Sequence, residues 1–240
     1  FAHLSMILGP DKKKLSKRHG ATSVIQYKDE GYLPEALVNF IAFLGWNPKD
    51  EREVFSLEAL AKEFKIENIN KAPAVFDVDK LNSLNSIYIK NFLSDPKLAS
   101  QISELLEQSG IKNISSGELE LLGRGGYSTL KEMVNEITEL RKMPDYDGKM
   151  LVFKKSTKQS TLLGLEETRN KLQETNEKDW NSQELQMILG LVATRNNLTN
   201  GDVFWPVRVA LSGQEKSPSP VELAIALGRD ETIKRIKKAI

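Results

Sequence analysis

Apolar residues recur three and four positions apart along most of the chain, the spacing that gathers them on one face of an α-helix. Pro34 stands where a first helical turn begins, and Leu37, Phe40, Ile41 and Leu44 follow at that spacing until Gly45 stops it. Asp95-Pro96 reads as an N-cap followed by proline at the first helical position. Leu98, Ile102, Leu105 and Leu106 then share a face, and Gly110 ends it. Leu130, Met133, Val134, Ile137 and Leu140 predict a helix over 129–142, closed by Pro144. Asn181 with Glu184 opens another over 185–192. Ser219-Pro220-Val221-Glu222 is a capping box before a short helix stopped by Gly228. Asp230 is placed to cap a last helix, with Ile233 and Ile236 inward and cations near the negative end of its dipole. Strand signals are confined to Phe1–Leu8 and Ile87–Ile89. No period of ~20 to 50 residues repeats, which argues against a solenoid. Joints at 91–96 and in the Lys-rich stretch 149–160 divide the chain into two or three small helical modules. The chain opens inside what reads as a buried strand, as part of a longer protein would.

Composition adds limits rather than identity. The 240 residues are ample to bury a core, and 40% hydrophobic with 28% charged residues is the balance of a soluble globular protein. No apolar run approaches the ~20 residues of a membrane span, and no signal-peptide pattern opens the chain. The absence of Cys excludes disulfides and thiolate metal sites and fits the cytoplasm. Net charge is only +1, but charge is unevenly placed. Five of the seven residues from Lys12 to Arg18 are basic, and the last twelve residues carry Arg229, Lys234, Arg235, Lys237 and Lys238. Local field, not total charge, steers a polyanion, so these runs are candidate contacts as well as solvated faces.

Several chemistries can be set aside. His3 and His19 are the two histidines, and no His-Glu-x-x-His pattern accompanies them. A Gly-x-Ser-x-Gly elbow and a Gly-x-x-x-x-Gly-Lys phosphate loop are both missing. Paired carboxylates such as Asp29-Glu30 and Glu166-Glu167 are common in any charged helical protein and point nowhere. The run from Gly9-Pro10-Asp11 to Lys14-Leu15-Ser16-Lys17-Arg18-His19-Gly20 is more specific. A strand-breaking turn is followed by a loop that presents two lysines three residues apart with a hydroxyl between them. Such a loop can fold over a triphosphate and set point charges on oxygens that gain charge in nucleotidyl transfer.

Lys14-Leu15-Ser16-Lys17-Arg18 resembles the KMSKS loop of class I aminoacyl-tRNA synthetases. Its flanks, Phe1-Ala2-His3-Leu4 and His19-Gly20-Ala21-Thr22-Ser23-Val24, resemble bacterial glutamyl-tRNA synthetase. The likeness continues through Gly31-Tyr32-Leu33-Pro34-Glu35-Ala36-Leu37, Phe43-Leu44-Gly45-Trp46, Ala74-Val75-Phe76-Asp77 and Tyr88-Ile89. It returns at Pro206-Val207-Arg208-Val209-Ala210-Leu211-Ser212-Gly213, whereas about 95–200 match loosely. Leu15 and Arg18 depart from the motif's Met and Ser, and nothing resembles the HIGH motif or the Rossmann half that carries it.

The resemblance implies a mainly α fold: the end of a Rossmann domain over 1–13, a stem-contact helical module over 14–93, and anticodon-binding helical subdomains over 94–151 and 152–240. It implies a monomeric, cytoplasmic glutamate–tRNA ligase that takes magnesium-bound ATP, with these 240 residues inactive alone for want of the HIGH motif. Lys14 and Lys17 would act on the phosphates, with Ser16 and Arg18 completing the ATP contacts. Arg208 would contact tRNA, its bland alternative being a salt bridge inside the bundle. Ser217, Pro218 and Val221 mark the turn and helix start that approach the anticodon. In strictly discriminating relatives an arginine ahead of an aromatic-x-Thr-Leu-Lys stretch reads the third anticodon base. The stretch here is Tyr127-Ser128-Thr129-Leu130-Lys131, and the aligned residue is Gly126, with Arg124 two residues earlier as the alternative reader. A relaxed enzyme that also charges glutamine tRNA is expected, with an amidotransferase correcting the product. The rival class is a stand-alone helical RNA-binding protein. Glutaminyl enzymes, with β-barrel anticodon domains, and the truncated tRNA-modifying relatives, with none, fit less well.

Overall fold

The computed structural model describes residues 4–16, 18, 23–48 and 50–240. Lys17, His19, Phe1–His3 and Gly20–Thr22, all part of the expected loop and flanks, lie outside the described residues. Among those described there are twelve helices and one two-stranded parallel sheet, the mainly helical architecture that the apolar spacing predicts. None of these helices is long and apolar enough to cross a membrane. The chain divides into two compact units, one of Phe1–Lys112 with Gly125–Asn135, the other of Asn113–Arg124 with Glu136–Ile240.

In the first unit β1 (Ile7–Leu8) pairs in parallel with β2 (Ala74–Val75), Ile7 opposite Ala74. The same unit holds α1 (Val24–Glu30), α2 (Pro34–Phe43), α3 (Leu57–Glu63), α4 (Val78–Ser94) and α5 (Pro96–Gln108), with α4 packed against α2 and α5. Ser23 and Gln26 form a reciprocal capping box on α1, and Pro34 occupies N1 of α2. The core gathers Tyr27, Leu33, Leu37, Phe40, Phe76 and Leu81. Two buried asparagines stitch it. Asn85 Oδ1 accepts the Leu33 N–H at 2.9 Å, and its Nδ2 donates to Ser128 O at 2.6 Å. Asn39 Oδ1 accepts the Phe55 N–H at 2.7 Å while its Nδ2 donates to Glu53 O at 3.0 Å.

Two sequence expectations fail here. The buried strand read over Phe1–Leu8 is, among the described residues, a two-residue strand at Ile7–Leu8 with Leu4, Met6 and Ile7 exposed. Ile87–Ile89 is helical, inside α4. Asp77 caps that helix through Asp79 N–H and Lys80 N–H, and its buried residues Leu81, Leu84, Asn85, Tyr88, Ile89 and Phe92 keep helical spacing. Two β-branched residues around a tyrosine do not outweigh a cap and a four-turn stripe.

The second unit holds α6 (Ser116–Arg124), the later half of α7 (Leu130–Arg141), α8 (Lys158–Glu174), α9 (Ser182–Arg195), α10 (Asn200–Ser212), α11 (Pro220–Leu227) and α12 (Arg229–Ala239). Helix α10 is its axis, packing against α8, α9, α11 and α12. Seven of its thirteen residues are buried, Pro206 among them. A proline inside a helix leaves the carbonyl four residues back without its usual donor. That carbonyl is Asp202 O, and Gly164 of α8 packs onto it so closely that a Cβ would lie 2.2 Å away. Gly228, not Asp230, caps α12, whose helical residues begin at Arg229. Asp230 instead sits in the first turn, where its charge still favours the positive end of the dipole.

Arg235 of α12 is 1% exposed. Its guanidinium donates to Leu211 O at 2.6 Å, Leu140 O at 2.8 Å and Glu231 Oε1 at 3.0 Å, so it closes the last turns of α10 and α7 together. Asp202 does the same at the start of α10, accepting from Thr199 N–H at 2.8 Å, Thr199 Oγ1 at 2.5 Å and Ser160 Oγ at 2.5 Å. Burial pushes its carboxyl up, but the hydrogen bonds from Ser160 and Thr199 outweigh that and bring it down to about 2. A folded value below the unfolded one of roughly 3.9 means that this stabilisation is complete above about pH 4 and is lost as pH falls toward 2. Unfolding followed by urea at stepped pH should show the unaltered chain losing more stability over that interval than Asp202→Asn. Parallel losses in the two proteins would contradict the assignment.

Candidate nucleic-acid interface

The loop after β1 is built by its backbone. Gly9 N–H donates to Lys13 O at 2.8 Å and Lys12 N–H to Gly9 O at 2.9 Å, with Lys12 in the left-handed region at φ 59°. Leu15 N–H then reaches Ile7 O at 3.1 Å, and Lys14 pairs antiparallel with Leu8, so the chain doubles back on the strand. Asp11 accepts the Lys13 N–H at 3.0 Å and pairs with Arg18 at 3.6 Å. Lys12, Lys13 and Lys14 are all exposed, and Ser16 is half-buried. Lys14 and Arg18 flank Ser16 in sequence, two cations and a hydroxyl of the kind that can meet a phosphate.

In the second unit Arg124 ends α6 with its side chain half-exposed. Its Nη1 lies 2.5 Å from Glu222 Oε1 and its Nη2 2.6 Å from Glu120 Oε1. These partners, Glu222 first, push the guanidinium above its ordinary value. Glu222 is also engaged on its other side. Its second oxygen accepts the Ser219 N–H at 2.7 Å, while Ser219 Oγ accepts the Glu222 N–H at 3.2 Å. One carboxylate therefore closes the capping box of α11 and holds Arg124. Burial pushes Glu222 up, but the bonds from Ser219 and Arg124 win and keep it below the ordinary carboxylate value. Gly126, in the first unit, faces open space where a Cβ would be.

Arg208 sits on α10 in a different setting. Its Nε is buried without a hydrogen-bond partner, and among the described residues it forms no ion pair. The salt bridge expected as its bland alternative is therefore not made. Ser217 Oγ lies 3.1 Å from Ser212 Oγ and donates to Pro218 O at 3.2 Å. Both residues line a cleft of about 310 Å³ with Gly213, Gln214 and Arg235. Val221 is 7% exposed, so at the start of α11 it has backbone rather than side chain to offer. Sequence reasoning missed Glu120 and Glu222 as partners of Arg124. The Glu120–Arg124 spacing of four signals the first pair. Nothing in sequence signals the second, 98 positions apart.

A helical bundle and a lysine loop of this build match two family models. An anticodon binding domain matches residues 90–240, and a catalytic domain of class I tRNA synthetases (E and Q) matches residues 1–83. Their succession defines the class as a class I tRNA synthetase chain. The glutamate–tRNA ligase of Dehalococcoides mccartyi is 37% identical over the whole chain, which covers 51% of that protein, and that of Heliobacterium modesticaldum is 35% identical, with 49% covered. A crystal structure of a glutamate tRNA ligase from Elizabethkingia meningosepticum, in complex with its amino acid, superposes on all of the chain and 51% of its own, with a TM-score of 0.77 at 29% identity. The chain belongs to the glutamate–tRNA ligase family, and it spans about half the length of the curated relatives it matches.

The double duty of Glu222 separates by substitution. Glu222→Gln keeps an amide that can serve the capping box and loses the charge that holds a half-exposed Arg124, so stability should fall by less than about 1 kcal/mol. Glu222→Ala removes both functions and should cost about 1–2 kcal/mol. Urea unfolding of both variants checks this, and equal losses would show that the two roles are not separable.

Proposed function

We propose that this chain is the tRNA-binding part of a glutamate–tRNA ligase that activates glutamate with ATP and transfers it to tRNA. The observation that carries the reading is the order of its parts. The end of a class I catalytic domain and an anticodon-binding domain follow one another in a single chain. In the whole enzyme, magnesium-bound ATP would bring its phosphates to Lys14 and Lys17, with Ser16 shaping the loop and Arg18 beside it. Lys14 suits that role because it is exposed on a turn fixed by backbone bonds and has no carboxylate partner among the described residues. Residues 1–13 would close the Rossmann domain and 14–93 would meet the tRNA stem, positioning it without reading sequence. Residues 94–151 and 152–240 would hold the anticodon, whose unstacked bases can be read along their edges. We place the enzyme in the cytoplasm as a monomer.

Arg208 is the tRNA contact this reading favours most. Arg208 is half-buried and its guanidinium forms no ion pair among the described residues, so a base or phosphate oxygen would pair with its accessible part without breaking an internal salt bridge. The turn at Ser217 and Pro218, with the α11 start at Val221, offers backbone N–H groups to the same ligand. We further propose that anticodon discrimination is relaxed. Gly126 has no side chain to reject or bind a base, and Arg124 is already engaged by two carboxylates. The same ligase would then charge glutamine tRNA with glutamate, leaving an amidotransferase to correct the product.

Binding of the chain to glutamate and glutamine tRNAs at one salt concentration tests both points. Arg208→Ala should weaken binding of either tRNA by about 1–3 kcal/mol with the fold intact, and the two tRNAs should bind within about tenfold of each other. Unchanged affinity would remove Arg208 from the interface. A preference for glutamate tRNA of about a hundredfold or more that collapses on Arg124→Ala would make Arg124 the reader.

A further inference from the structure

The Lys-rich stretch that the sequence marks as a joint is a fastened surface. Asp147 caps a 3₁₀ turn at Gly148–Leu151 by accepting the Lys149 N–H, and Leu151 is buried. Met150 O accepts the indole N–H of Trp205 at 2.8 Å. The Phe153 ring lies 5.2 Å from that of Trp205 and rests on Gly201, where a Cβ would come within 2.5 Å of it. Ser156 N–H donates to Phe153 O at 2.8 Å, and Thr157 then caps α8. The backbone from 147 to 158 is thus pinned to the central helix of its own unit.

Four lysines stand on this pinned segment: Lys149, Lys154, Lys155 and Lys158. All are exposed, and among the described residues none forms an ion pair. Three lysines elsewhere in the same unit are neutralised instead: Lys142 pairs with Glu139, Lys171 with Glu174 and Lys234 with Glu231. The nearby carboxylates do not neutralise the four. Asp147 accepts the Lys149 N–H and Asp202 accepts from Ser160 and Thr199, and neither carboxylate forms an ion pair with these lysines among the described residues. Asp145 is close in sequence and forms no ion pair among the described residues. Four like charges held within ten positions repel one another and gain little from the fold, a pattern expected where an outside anion is met. A partner that presents regularly spaced charges and no fixed side-chain pattern is an RNA backbone.

We propose that residues 149–158 are a phosphate-contact surface for the RNA backbone of the tRNA, separate from the base-contacting turn at Ser217–Val221. The inference rests on the tRNA-binding reading of the chain and adds a sequence-blind contact to it. The test compares two triple variants of equal charge change in the whole chain. One carries Lys154→Gln, Lys155→Gln and Lys158→Gln; the other carries Lys142→Gln, Lys171→Gln and Lys234→Gln at paired lysines. Affinity for glutamate tRNA is measured across a salt series, with thermal unfolding as the check on folding. The first variant should lower the slope of log affinity against log salt by about 2 and weaken binding about tenfold or more at low salt. It should do so equally for tRNAs of different anticodon. The second should change the slope much less. An unchanged slope in the first variant, equal losses in both, or a loss confined to one anticodon would each overturn the proposal; the first result would leave an acidic protein surface as the occupant to seek. Failure of the unaltered chain to bind any tRNA would instead overturn the reading beneath it, and this inference with it.

Discussion

Every helix leaves amides at its start and carbonyls at its end without partners, and in a chain of short helices those groups are numerous and many are buried. Here buried polar side chains from distant segments meet them. Asn85 takes the amide at the start of α2 and, through its amide group, the Ser128 carbonyl ahead of α7. Arg235 reaches the closing carbonyls of α7 and α10 at once. Asp202 holds the entry of α10 and, through Ser160, the first turn of α8. Each buried group left unmet would cost about 1–3 kcal/mol, a large part of what holds a domain of this size together. Side-chain capping over long sequence separations is therefore what permits short helices to pack on one another.

The same constraint shapes the proposed interface. Turns whose ends are capped from behind keep their outward groups in place without help from a ligand, and the Ser217–Glu222 turn is of this kind. Glu222 closes the capping box on one side and holds Arg124 on the other, so the start of α11 and the end of α6 are set by a single carboxylate. The segment 147–158 is fastened by the indole N–H of Trp205 and the ring of Phe153, which leaves its lysines facing water on a fixed backbone. Arg208 departs from this pattern, as one of five residues among those described whose buried side-chain polar atom has no partner. The buried charges of Glu118, Asp202 and Arg235 all have partners inside the bundle, whereas the Arg208 Nε is buried and unmet.

Much of this was legible in the sequence wherever a cap and a stripe coincide. Pro34, Asn181 and Ser219 start helices where their chemistry says they should, and the lysine loop after Gly9-Pro10-Asp11 turns as its residues require. Helix α8 was not legible because its buried face is Thr161, Gly164, Leu165, Thr168 and Leu172, too polar and too small to register as an apolar stripe. Helix α10 was hidden for the opposite reason: buried at its core with a proline inside, it has no polar face to set the period. Arg235, read from sequence as one of a run of surface cations, is a core residue because two carbonyls await it, and carbonyls carry no sequence signal. The partner of Arg124 escaped notice for a similar reason, since an ion pair closed by tertiary packing has no spacing to recognise.

We propose that one chain meets tRNA at two places, through the helical module after the lysine loop and through the bundle built on α10. Hydroxyl-radical footprinting of glutamate tRNA bound to this chain examines that claim without requiring catalysis. The account predicts two separate protected regions, one at the inner corner of the folded tRNA and one in the anticodon loop, with the second fading selectively on Arg208→Ala. A single protected region at the acceptor end, or protection no different from that of an unrelated RNA hairpin, would contradict it.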